Sequence, residues 1–104
     1  MAKIAVVEDN DAMREQLCGF IAQYARESGR QLDVTAFADG AEIVDPYRPG
    51  FDIIFLDIEM PTLGGMPTAE RIRQVDPDVV LVFVTNMAQY AIRGYEVDAL
   101  DFVL

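Results

Sequence analysis

Val79-Val80-Leu81-Val82-Phe83-Val84 is the longest unbroken run of aliphatic and aromatic residues in the chain. A strand with one face in water alternates apolar and polar side chains, so an uninterrupted β-branched run describes a strand covered on both faces, as in parallel sheets. Ile4-Ala5-Val6-Val7 and Ile53-Ile54-Phe55-Leu56 read the same way. Between the first two runs, Met13, Leu17, Phe20, Ile21 and Tyr24 recur at helical spacing, in a stretch that Asp11 is placed to cap and Gly29 to end.

Leu32 to Phe37 is a weaker strand. Asp39-Gly40-Ala41-Glu42 then has the form of a capping box before a short helix stopped at Pro46. A third helix takes Pro67 into its first turn, presents Met66, Ala69, Ile72 and Val75 on one side and stops at Asp76-Pro77. Asn86 with Gln89 caps a fourth helix through Tyr95, and Asp101 to Leu104 reads as a last strand. Strict alternation of strand and helix predicts an α/β fold: one domain over residues 1–104, a doubly wound five-stranded parallel sheet with right-handed crossovers.

Composition narrows the function. The chain has 104 residues, 52% of them hydrophobic, with 18 acidic against 8 basic side chains and a net charge of -10. The excess is shared evenly: residues 1–52 hold ten acids and five bases, residues 53–104 eight and three. Neither half is a basic face, which argues against direct nucleic-acid binding and against docking on an anionic membrane. The longest apolar run falls far short of the ~20 residues of a membrane span. Met1-Ala2-Lys3 leads straight into a strand without the apolar region of a signal peptide, so a cytoplasmic protein is expected. With no histidine and only Cys18, Cys/His zinc sites, Ser-His-Asp triads and internal disulfides are excluded. Cys18, beside Leu17 and Ile21, is expected to be a buried small hydrophobe.

In open α/β sheets ligands bind beyond the carboxyl ends of the strands. The residues just past the runs are Glu8-Asp9, Asp57 and Thr85. Two unit charges 4 Å apart repel by roughly 4 kcal/mol at an effective dielectric of 20, so converging carboxylates need a proton or a cation. An all-oxygen, partly hydrated set suits Mg²⁺. Mg²⁺ beside a strand-end aspartate points to phosphoryl chemistry, with Asp57 attacking phosphorus and the Thr85 hydroxyl donating to a phosphoryl oxygen.

Val6-Val7-Glu8-Asp9, Phe55-Leu56-Asp57-Ile58-Glu59-Met60-Pro61, Val84-Thr85 and Ala99-Leu100-Asp101-Phe102-Val103-Leu104 together resemble the receiver domain of bacterial two-component response regulators. The resemblance spans the whole chain in order and spacing. The stretch from Asn86 to Asp101 further resembles receivers attached to LytTR-type DNA-binding domains. The resemblance implies a flavodoxin-like strand order 2-1-3-4-5. It makes Asp57 the phosphoacceptor for a sensor histidine kinase. It implies Mg²⁺ on Asp9 and Asp57, on Glu8 mostly through water, and on the main-chain carbonyl of Glu59. Thr85 and Phe102 become a switch pair, the threonine moving toward the phosphoryl group as the ring turns inward.

The family places a lysine directly after the fifth strand, whereas this sequence stops at Leu104 and its one lysine, Lys3, opens the first strand. The chain is therefore expected to be a receiver cut short of that lysine, of the last helix and of its output domain. The uncovered sheet face, together with the face of the fourth helix and fifth strand, is expected to support self-association, such as homodimer formation. Asn86 and Gly64-Gly65 are smaller departures, expected to affect rate.

Taken singly, these residues have plainer readings. Glu8-Asp9 is a solvated pair near a helix start, Asp57 a loop cap, Thr85 a capping hydroxyl and Phe102 core. Met60, Met66 and Met87 are packing residues, and Tyr90 and Tyr95 line a helix whose outward face is left open as a partner surface. The common placement at strand ends favours the sharper reading for the acids. The competing functions are a phosphorylation-independent pseudo-receiver acting as an interaction module, a small phosphatase with an aspartyl nucleophile, and a flavodoxin-like electron carrier. The last is disfavoured by the acidic loop after the first strand, which would repel a flavin phosphate.

Overall fold

A computed structural model describes residues 1–84 and the strand at 101–103. Five strands, β1 (Ala2–Val7), β2 (Leu32–Phe37), β3 (Ile53–Leu56), β4 (Val80–Val84) and β5 (Asp101–Val103), form one sheet in the order β2-β1-β3-β4-β5. All neighbours are parallel, with Val7 opposite both Phe37 and Leu56, Leu56 opposite Phe83, and Phe83 opposite Phe102. The α/β class and strand order expected from the sequence are those observed.

The helices among the described residues are α1 (Asp11–Ser28), α2 (Gly40–Val44) and α3 (Gly65–Val75). Alternate strand residues Ala5, Val7, Ile54, Leu56, Leu81 and Phe83 are buried against Ile43 of α2 and Met66, Ala69 and Ile72 of α3. Each large aliphatic or aromatic side chain so removed from water contributes roughly 1.5–3 kcal/mol, which makes this face the main core. The opposite face carries Ile4, Val6, Ile53 and Phe55 beside α1. Helices thus lie on both faces, as doubly wound alternation requires.

Several local expectations are corrected. The cap of α1 is Asn10, one residue before the expected Asp11, and its side-chain oxygen accepts from the Met13 amide at 3.0 Å. Gly29 ends α1 as expected, at φ 69, a left-handed conformation that costs glycine little. The apolar stripe of α1 is only partly covered: Leu17 and Ile21 are half-buried, while Met13, Phe20 and Tyr24 are exposed. Cys18 is half-buried rather than buried. On α3, Met66, Ala69 and Ile72 face the core but Val75 is 57% exposed, because the helix ends there and the chain turns away. The Asp39–Glu42 pair is not a reciprocal box. Asp39 caps α2 through the Ala41 amide, but Glu42 reaches back to the amide of Ala38 instead of Asp39. The expected helix from Asn86 to Tyr95 lies outside the described residues.

Candidate functional site

The parallel register sets the site. Val7 and Leu56 are opposite one another, and the next residue of each strand, Glu8 and Asp57, emerges at the same sheet edge. The Asp57 amide donates to the Val7 carbonyl at 2.9 Å and the Glu8 amide to the Phe37 carbonyl at 3.0 Å, which extends the ladder one step past both strands. Glu8 is 5% exposed, Asp57 is half-buried and Asp9 is exposed. One carboxylate oxygen from each of the three lies within 4.8 Å of the others. This is the convergence expected from the sequence.

Among the described residues, the surrounding contacts hold these acids without neutralising them. Glu8 Oε2 accepts from the Asn10 amide at 3.1 Å, and Asp57 Oδ1 from the amide of Ile58 at 2.9 Å. Arg14 sits on the first turn of α1, yet its guanidinium donates to the Glu8 main-chain carbonyl at 2.9 Å and pairs with Asp11, so it acts on backbone and rim. Burial, reinforced by Asp9 and Asp57, pushes the Glu8 carboxyl up to about 7, against the pull of the Asn10 amide. Burial also raises Asp57, and the charge of Asp9 adds to it, while hydrogen bonds from Glu8 and Ile58 act in the other direction. A crowded acid set in which Glu8 and Asp57 hold protons above their ordinary range gains most from a cation. Its all-oxygen donors fit a hard divalent ion such as Mg²⁺.

Glu59 is exposed, and its carboxylate is not among the three that converge. Phe102 is placed in β5 opposite Phe83 of β4. Thr85 lies outside the described residues. Two features escaped the sequence reading. Asp39 binds the loop that follows Asp57, accepting the amides of Thr62 and Leu63 at 3.0 and 2.9 Å. Gly65 packs so closely on the Asp57 peptide that a Cβ there would stand 2.2 Å from the Asp57 carbonyl oxygen. The Gly64-Gly65 doublet was the only sequence signal for the second, and the first had none beyond a helix cap.

The family model for the response regulator receiver domain matches residues 4–104. The chain belongs to that family. As a receiver it is 31% identical over its whole length to the sensory transduction protein LytT of Bacillus cereus, and 29% identical over 98% of its length to the transcriptional regulatory protein YpdB of Escherichia coli. It spans 41% of each of those relatives. Among solved structures it is similar to the non-phosphorylated receiver domain of HemR from Leptospira biflexa, with a TM-score of 0.85 at 29% identity, covering 99% of this chain and 81% of that one. It is also similar to the response regulator TrrA of Thermotoga maritima, solved in complex with Mg²⁺-BeF, with a TM-score of 0.82 at 26% identity, covering 100% and 86% of the two chains. Receivers are regulatory domains of two-component systems, and LytTR-type regulators are among the relatives of this one. No helix among its described residues is long and apolar enough to cross a membrane.

Proposed function

We propose that this receiver is a phosphorylation-dependent switch in which Asp57 accepts a phosphoryl group from a phosphohistidine of a sensor histidine kinase. The observation that carries the reading is the meeting of Glu8, Asp9 and Asp57 at one sheet edge. A free Asp57 oxygen attacks phosphorus, the P–N bond breaks, and the donor imidazole retains the electron pair and takes up a proton. Glu8, Asp9, Asp57 and the main-chain carbonyl of Glu59 would hold Mg²⁺, which offsets charge on the transferring oxygens when bound. Asp57 stands half-buried just past β3, with one carboxylate oxygen engaged by the Ile58 amide. Thr85 donates to a phosphoryl oxygen, and Phe102 follows it as the switch aromatic. Both roles rest on the family resemblance.

The output of the switch lies in a part of the protein beyond this chain. The YpdB relative, a transcriptional regulatory protein, supports a DNA-binding output. The acidic balance of the receiver itself leaves nucleic acid to that other part, and membership of the receiver family supports a cytoplasmic location.

The test is to incubate the chain with Mg²⁺ and a small phosphodonor and to measure intact mass, with Asp57→Asn as control. One phosphoryl group gained by the unsubstituted protein alone supports the switch. No uptake here, but uptake by a longer chain extended through the lysine expected after β5, would trace the defect to truncation. No uptake by either protein would overturn the reading in favour of a phosphorylation-independent interaction module.

A further inference from the structure

The loop from Ile58 to Gly64 carries Glu59 and joins β3 to α3. Its two ends are closed on each other: the Gly65 amide donates to the Ile58 carbonyl at 2.7 Å. The glycine at 65 allows the first turn of α3 to rest directly on the Asp57 peptide. That pin fixes the base of the loop but leaves its tip to be held from outside.

The outside hold comes from α2. Asp39 is 9% exposed and stands at the N-cap of that helix, over twenty residues away in sequence. One of its oxygens accepts the Thr62 amide at 3.0 Å, and the other accepts the amides of Leu63 at 2.9 Å and Ala41 at 2.8 Å. A helix cap needs only one of these bonds. The neighbourhood is packed to bring the two segments together: a Cβ on Gly40 would stand 2.4 Å from the Leu63 carbonyl oxygen, and fully buried Thr68 donates to the Gly64 carbonyl at 2.8 Å. Three amide donors keep the Asp39 carboxylate ionised, with its pKa below the usual value despite burial.

Only Glu59, Met60 and Pro61 lie between the pin at Ile58 and the hold at Thr62, and the ring of Pro61 fixes its own φ. We infer that Asp39 is a positioning residue for the metal-holding loop, setting through Thr62 and Leu63 where the Glu59 carbonyl stands relative to the Glu8, Asp9 and Asp57 carboxylates. The inference rests on the proposed Mg²⁺ site, because Mg²⁺ demands near-octahedral oxygens at about 2.0–2.1 Å and tolerates displaced donors poorly. A carboxylate is required at this position. Asparagine offers one acceptor oxygen and turns an NH₂ group toward N–H donors, whereas serine keeps the cap for Ala41 but is too short to hold the loop as well.

The experiment compares the unsubstituted chain with Asp39→Ser and Asp39→Asn. Mg²⁺ affinity is read by calorimetry, and amide hydrogen exchange is read at residues 59–63 and, for reference, across β1 and β3. Circular dichroism establishes that each variant is folded. The expected result is Mg²⁺ affinity weakened by about tenfold in both variants, with faster exchange at residues 59–63 and unchanged exchange in β1 and β3. A folded Asp39→Ser protein with unchanged affinity and unchanged loop exchange overturns the inference. Should the unsubstituted chain bind no Mg²⁺, the proposed metal site fails on its own, and loop exchange alone then decides whether Asp39 positions the loop. Should Asp39→Asn fail to fold, Asp39→Ser, which retains the helix cap, decides it.

Discussion

Gly65 and Asp57 are in backbone contact: a Cβ at residue 65 would meet the Asp57 carbonyl oxygen at 2.2 Å, its carbon at 3.0 Å and the Ile58 Cα at 3.0 Å. Gly65→Ala sets a helix-propensity gain of about 1 kcal/mol against a clash with main chain that no side-chain rotation relieves. The clash wins. Net destabilisation of about 1–3 kcal/mol is expected in urea denaturation, together with slower phosphoryl uptake, because the displaced atoms belong to the phosphoacceptor peptide. Gly19→Ala is the control. It lies exposed within α1 with nothing within 4 Å of its added Cβ, and should stabilise by about 0.5–1 kcal/mol.

Asp39 predicts an acid limb. Burial raises its pKa, but the amides of Ala41, Thr62 and Leu63 outweigh burial and bring it below the ordinary 3.8. A folded pKa lower than the unfolded one means that the unfolded chain binds the proton first. The stabilisation is therefore complete above about pH 4 and is lost as pH falls through the folded value. Asp39→Asn should be less stable than the unsubstituted chain at pH 7, and the gap should narrow toward the acid end of the range. Thermal unfolding between pH 2.5 and 7 measures it, and a gap that stays constant with pH would show that the carboxylate charge contributes nothing.

The parts of the fold that were legible in the sequence share one physical origin. An uninterrupted β-branched run such as Ile53–Leu56 has few places to go except a covered parallel strand, and strand ends in such a sheet converge by topology. The meeting of Glu8, Asp9 and Asp57 therefore follows from the sequence and the topology alone. Periodicity on α1 marked the apolar side correctly at Leu17 and Ile21. It carries no information on how much of that side is covered, and Phe20 and Tyr24 turned out exposed. The hold of Asp39 on Thr62 and Leu63 was hidden for another reason: a single short acid serves a helix cap and a distant loop with the same two oxygens, and only the cap has a local sequence signature.

Tyr47 and Asp76 tie two loops far from the acidic edge, the Tyr47 hydroxyl donating to Asp76 Oδ2 at 2.7 Å. Burial and the neighbouring carboxylate raise the Tyr47 pKa well above its ordinary value, so the hydroxyl remains a donor throughout the working range. Tyr47→Phe removes the donor, keeps the ring against the core and leaves Asp76 access to water. A loss of about 1 kcal/mol is expected in chemical denaturation, with unchanged phosphoryl uptake. A change in uptake would mean that this end of the sheet communicates with the site.

The apolar side of α1 makes the last prediction. Leu17, Phe20, Ile21 and Tyr24 line a groove of about 530 Å³ with Ile4, Leu32, Ile53 and Phe55 of the sheet, and Phe20 and Tyr24 are 60% and 53% exposed. Contiguous apolar surface of this kind marks an association site in soluble proteins. The net charge of -10 opposes association at low salt, and screening weakens that repulsion, since the Debye length falls from about 30 Å at 0.01 M to about 8 Å at 0.15 M. The 104-residue chain should therefore increase in average mass with concentration, more steeply at 0.15 M salt than at 0.01 M. Phe20→Glu places a charge at the exposed centre of the groove without disturbing the core, and should return the chain to a monomer at both salts. Light scattering across concentration reads the outcome. A monomer at every concentration, or association that Phe20→Glu leaves untouched, removes this groove as the surface responsible.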